Sequence, residues 1–209
     1  MYQPEHFKET RLEVLHNFIT ANPFGLLISA GIAGIEANGL PFLIGRTVGE
    51  LGLLRVHMAR ANQQWKNLDA QNVLVVFQGA QNYVSPSLYQ TKQETGKVVP
   101  TWNYLMVQAR GIAKVHQDSE WLAAQVSSLT DKHEAKQPAP WSVEDAPESY
   151  IASQLRGIVG VEIQIETLEG KWKVSQNRSA EDRRGVADGL KNENPTMATL
   201  VRRYGGIET

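Results

Sequence analysis

Cysteine is absent from all 209 residues. Disulfides, thiolate zinc sites, iron–sulfur clusters and a cysteine nucleophile are therefore excluded. An excess of charge of either sign is absent too. Twenty-one Lys and Arg stand against twenty-two Asp and Glu, a formal net charge of −1, so no global field draws the chain toward nucleic acid. No apolar run approaches the ~20 residues of a membrane span. The opening MYQPEHFKETR carries charges where a secretory leader needs an apolar stretch, and the expectation is a cytoplasmic protein. The five histidines, His6, His16, His57, His116 and His133, stand singly and build no histidine-rich metal site. G-x-G-x-x-G, Walker, H-E-x-x-H and G-x-S-x-G patterns are missing as well, and Gly31, Gly34 and Gly39 read as turns.

What remains is a chain that is 42% hydrophobic, enough for one substantial core. The expectation is one domain over residues 1–209, with C-terminal helices at about 179–203 packed on it or extending from it. Leu12, Leu15, Phe18 and Ile19 recur at helical spacing and predict a helix over residues 7–21 that stops before Pro23. FGLLISA (24–30), LPFLI (40–44), residues 53–58 and VLVVFQ (73–78) read as strands, with a turn at Ala37-Asn38-Gly39 and a helical turn over 63–68. After a flexible QTKQETGK, residues 98–115 alternate as a long strand, and Asp118 caps a helix to about Lys132. GIVGVEIQIE (157–166) alternates most clearly. A turn at Glu169-Gly170 leads to a strand over 171–175, and helices follow from Ser179 and from Pro195. Strands that follow one another without intervening helices argue for an antiparallel barrel or sandwich with flanking helices, a mainly β, α+β class.

Four polar and aromatic clusters carry the candidate chemistry: MYQPEHF, HMARANQQW, VPTWNY and KWKVSQN. They offer His57, Arg60, Asn62, Thr101, Asn103, Lys173, Ser175 and Asn177 beside Tyr2, Trp65, Trp102, Tyr104 and Trp172. Such a set suits a planar, anionic ligand: Arg and Lys meet a phosphate, amides and hydroxyls read heteroatoms, and aromatic rings cover a ring system. Each residue also has a structural reading. His57 fits a core histidine, Arg60 a surface pair with Asp69 or Glu50, and the tryptophans fit packing.

The stretches MYQPEHF, HMARANQQW, YVSPSLY, VPTWNY and KVSQN resemble, in this order, the signatures of the PaiB family of FMN-binding negative transcriptional regulators. The resemblance runs from Met1 to about Arg203, with one departure: the family usually has proline where this chain has Gln63. It implies a six-stranded antiparallel split barrel similar to pyridoxamine-phosphate oxidases, forming a homodimer with FMN at the subunit interface. By that resemblance His57, Met58, Ala59, Arg60 and Asn62 lie near the phosphate, with Arg60 as the main contact. Thr101, Trp102 and Asn103 approach the ring or the partner subunit, and Lys173, Ser175 and Gln176 complete the set. Three functions stay open: a flavin-binding regulator, an FMN-dependent oxidoreductase, and a cofactor-free dimeric interaction protein. DNA is a weakly supported partner. Arg178, Arg183, Arg184, Lys191, Arg202 and Arg203 are diluted by Glu181, Asp182, Asp188 and Glu193, which fits a solvated helix face better than a DNA footprint.

Overall fold

A computed structural model describes residues 1–31 and 34–207. In chain order the elements are β1 (Lys8–Glu9), α1 (Leu12–Ala21), β2 (Phe24–Gly31), β3 (Gly34–Pro41), β4 (Leu43–Gly45), β5 (Leu53–Ala59), β6 (Asn72–Val84), α2 (Gln90–Thr95), β7 (Thr101–His116), α3 (Ser119–Glu134), α4 (Glu148–Arg156), β8 (Ile158–Lys173), α5 (Ala180–Leu190) and α6 (Pro195–Gly205). Six of the eight strands have seven or more residues; β1 and β4 are short additions to them. The sheet order is β3-β2-β6-β7-β8-β5-β4, with β1 also on β8. The ladders of β2 with β3 and β6, of β4 with β5, and of β5 and β1 with β8 are antiparallel.

The chain divides into two compact units. One comprises Met1–Leu15, Gln78–Val107 and Glu169–Thr209, and the other His16–Phe77 and Gln108–Leu168. In the second unit the period-two patterns sort side chains cleanly between two faces. Leu54, Val56 and Met58 of β5 and Val159, Val161 and Ile163 of β8 are buried together, whereas Arg55, His57 and Glu162 lie on the other face. Phe42 and Phe77 meet edge to face within this core, with centroids 5.5 Å apart. Helix α3 covers the outer face of β5 and β8. Gly160 makes room for it: a Cβ there would lie 2.1 Å from the Trp121 ring. The helix is started by Asp118, whose carboxylate accepts the Trp121 N–H at 2.8 Å. Asp118→Ala is expected to cost about 1 kcal/mol of stability, read as a lower thermal midpoint with an unchanged fold by circular dichroism.

In the first unit, α5 and α6 pack Val186, Ala187, Leu190, Met197, Ala198 and Val201 into a second core with Tyr89 and Trp172. Asp182 fixes α2 by accepting from the Thr91 N–H and hydroxyl, both at 2.9 Å.

Several boundaries differ from the sequence expectation. Ala37-Asn38-Gly39 is not a turn but the interior of β3, paired with Ile28, Leu27 and Leu26. Gly39 belongs there because the Phe24 ring covers it, and a Cβ would lie 2.7 Å from that ring. Phe7 ends a 3-10 turn over Glu5–Phe7 and residues 8–11 are not helical: Glu9 pairs with Gly170 in the ladder, and its buried carboxylate takes the Arg11 N–H at 2.9 Å, so α1 starts later. Glu169-Gly170 continues β8 instead of turning, because Gly170 lets Leu15 and the β1 backbone approach. QTKQETGK holds α2, closed by Gly96 at φ 67°.

Candidate functional site

The candidates from HMARANQQW all lie in the unit of residues 16–77 and 108–168. Arg60 follows the end of β5. Its Nε donates to the Arg156 carbonyl at 2.9 Å, Nη1 to Gln117 Oε1 at 2.7 Å and Nη2 to the Ile158 carbonyl at 3.1 Å. It pairs with neither Asp69 nor Glu50: the Arg156 carbonyl at the C-terminal end of α4, the Ile158 carbonyl opening β8 and the Gln117 amide oxygen hold it instead. That is a favourable place for a cation. A guanidinium has five N–H donors, so the three bonds fix the fork and leave two N–H groups for a ligand. The Trp65 ring lies 6.0 Å from the guanidinium carbon, and its indole N–H donates to the Arg60 carbonyl at 2.9 Å. A cavity of about 480 Å³ opens here, lined by Arg60, Gln117, Ser119, Leu122, Leu155 and Arg156 among others, with no carboxylate side chain among its lining residues.

The neighbours of Arg60 play other parts. Asn62 caps the turn of residues 63–67 by accepting the Gln64 N–H at 3.1 Å. Gln63 opens that turn, a position that tolerates proline. Met58 is 2% exposed and its side chain belongs to the core, while Ala59 is exposed. His57 sits half-buried on the face covered by α3, its Nδ1 enclosed with no partner among the described residues, and burial holds its pKa below the ordinary value. Gln64, which the sequence reading did not select, is 0% exposed. Its Nε2 donates to Ser29 Oγ at 2.9 Å, and its Oε1 accepts from Asn38 Nδ2 at 2.9 Å. No sequence signal short of the structure separates it from its neighbour Gln63.

The remaining candidates lie in the other unit. Lys173, at the end of β8, donates to Thr101 Oγ1 at 2.5 Å and to the Trp102 carbonyl. Burial first, then the positive charges of Lys171 and Arg178, hold its pKa below the usual lysine range. Asn103 is 0% exposed and bonds Ser175 Oγ at 2.9 Å; Ser175 takes a left-handed φ of 69° to reach it. Gln176 folds back on its own strand end, accepting the Val174 N–H at 2.8 Å and donating to the Trp172 carbonyl at 2.5 Å. Trp102 is 53% exposed and meets Tyr83 edge to face. Beside it lies a cavity of about 320 Å³, lined by Gln78, Gly79, Gln81, Trp102, Tyr104, Leu105 and Met106. Its aromatic wall and two amides match the chemistry of a heteroaromatic ring, and its size lies at the small end of the roughly 300–1,000 Å³ typical of ligand pockets. Lys171, the missed neighbour, is buried with its ammonium 5.2 Å from the Tyr2 ring centroid and 5.3 Å from that of Tyr104.

Set beside known proteins, residues 1–167 match the family described as "Putative FMN-binding domain". The chain belongs to that family. It is 34% identical over 203 residues to the "Protease synthase and sporulation protein PAI 2" of Bacillus subtilis, covering 96% of this chain and 95% of that protein. It is 36% identical to an uncharacterized protein of Aspergillus fumigatus over 91% of each. Among solved structures it is similar to the flavocytochrome Anf3 of Azotobacter vinelandii, with a TM-score of 0.61 and 14% identity, covering 79% of this chain and 69% of that one. The shared architecture is the split barrel, mainly antiparallel β with flanking helices. Among the described residues, no helix is long and apolar enough to cross a membrane.

Proposed function

We propose that this protein is an FMN-binding homodimeric regulator of the PaiB type, acting in the cytoplasm, with residues 1–209 forming one split-barrel domain. The observation that carries the reading is Arg60. It is a pre-oriented guanidinium with two donors to spare, on a cavity without carboxylates, in a chain of an FMN-binding family. Arg60 holds the FMN phosphate in this reading, since a fixed fork loses little freedom on binding an anion. The dimer is supported by apolar side chains left in water, including Phe24, Leu26 and Ile35 in one unit and Tyr83 and Trp102 in the other. When bound, the flavin supplies one- or two-electron redox chemistry. The protein's part is to bind the phosphate, cover the ring and exclude water.

The cavity against Trp102 and Tyr104 favours a second reading, an FMN-dependent oxidoreductase with a small substrate. Both readings are tested by mixing the protein with FMN, removing excess by gel filtration and recording the visible spectrum. About one flavin per subunit is expected. Arg60→Ala is expected to weaken FMN binding by about 1.5–3 kcal/mol, the range for charged hydrogen bonds, and unchanged affinity in a folded variant would remove the assignment. Turnover of NADH or NADPH separates oxidoreductase from regulator.

A further inference from the structure

The layer between α3 and the sheet holds polar atoms that no partner among the described residues satisfies. They are Nδ1 of His57 on β5, Nε2 of His116 on β7, and both amide atoms of Gln125 on α3, which is 1% exposed. Trp121, one turn before Gln125 on the same face, stacks on the His116 ring with centroids 4.4 Å apart and planes 3° apart, and lies over Gly160, the ladder partner of His57. Buried polar groups are almost always hydrogen-bonded, so this layer is an exception within one small region. Of α3's sixteen residues only Leu122 and Gln125 are fully buried, so one of the two that the sheet encloses is polar.

We infer that α3 is a proton-controlled latch: it rests on the sheet while His57 and His116 are neutral and lifts when they take up protons. Protonation would put a charge and a new N–H where His57 has no acceptor. Glu162 lies 4.0 Å from His116 Nε2 and partly answers its charge, so His57 is the stronger arm. Around His116, Asp69 and Asp118 act with Glu162, and Lys114 acts against them. On the helix, Lys132 faces Arg46; Arg55 and Arg60 flank His57 along the chain, and α4 brings Arg156. Released into water, the Gln125 amide gains the partners it lacks, which narrows the gap between docked and lifted states.

The sign follows from burial. Burial holds both histidines below their ordinary value in the docked state. Docking is therefore strongest above the ordinary histidine value of about 6.5 and weakens as pH falls through it toward the lowered docked values.

The test is amide hydrogen exchange of the full chain from about pH 7.5 to 5.5, corrected for intrinsic rates, comparing α3 with the histidine-free α5. Protection of α3 should fall at least about tenfold relative to α5, and His57→Gln with His116→Gln should abolish the fall. A constant ratio in the wild-type protein, as an ordered water bridging His57 and Gln125 would produce, overturns the latch. So does a double variant that keeps the wild-type pH dependence. Should that variant not fold, imidazole NMR titration of the wild-type protein decides, and His57 and His116 titrating at or above the ordinary value overturns it. No flavin is involved, so failure of the FMN reading leaves this test intact.

Discussion

Gly111→Ala is expected to cost about 4 kcal/mol, at the extreme end for a single substitution. Gly111 lies in β7 where a Cβ would sit 1.8 Å from the Gln164 carbonyl oxygen and 2.8 Å from its carbon. Both are backbone atoms of β8, so no rotamer change relieves the clash and the two strands must part. At Gly96, by contrast, a Cβ meets nothing within 4 Å. Urea denaturation checks the expectation: a midpoint shift amounting to less than about 1 kcal/mol would mean that the two strands have room to separate there.

The second large effect is expected at Gln64→Leu, about 3 kcal/mol. Leucine is near in volume, so little of the cost is cavity. It comes from leaving Asn38 Nδ2 and Ser29 Oγ without the partner they now have. Each buried polar group so abandoned costs roughly 1–3 kcal/mol. The mechanism has a signature that packing loss lacks. In an Asn38→Leu background, where one of those partners is already gone, Gln64→Leu should cost measurably less. Equal costs in the two backgrounds would place the effect in shape alone.

Much of the fold was legible because its signals are local. The alternation of Val161, Ile163 and Ile165 against Glu162, Gln164 and Glu166 gave β8, Asp118 gave the start of α3, and Pro195 the start of α6. What failed depended on distant partners. Asn38-Gly39 has the composition of a turn, and only the Phe24 ring and the β2 ladder make it a strand. QTKQETGK is polar throughout, and Asp182, ninety-one residues further on, orders it. The candidate site divides likewise. Residue type marked Arg60 and Lys173 as cations worth placing, but not that carbonyls would orient the first and that burial and neighbouring cations would hold down the second's pKa. Gln63 and Gln64 are identical as letters. The pitch of one short turn sends the first outward and buries the second completely.

The contact of Trp121 with Gly160 also constrains how the family can vary. The indole occupies the space a side chain at position 160 would need, so neither residue is free to drift alone. A relative carrying alanine or larger at 160 must carry something smaller than tryptophan at 121 or hold its helix farther from the sheet. The two positions should therefore change together in descent, as a linked pair thirty-nine residues apart.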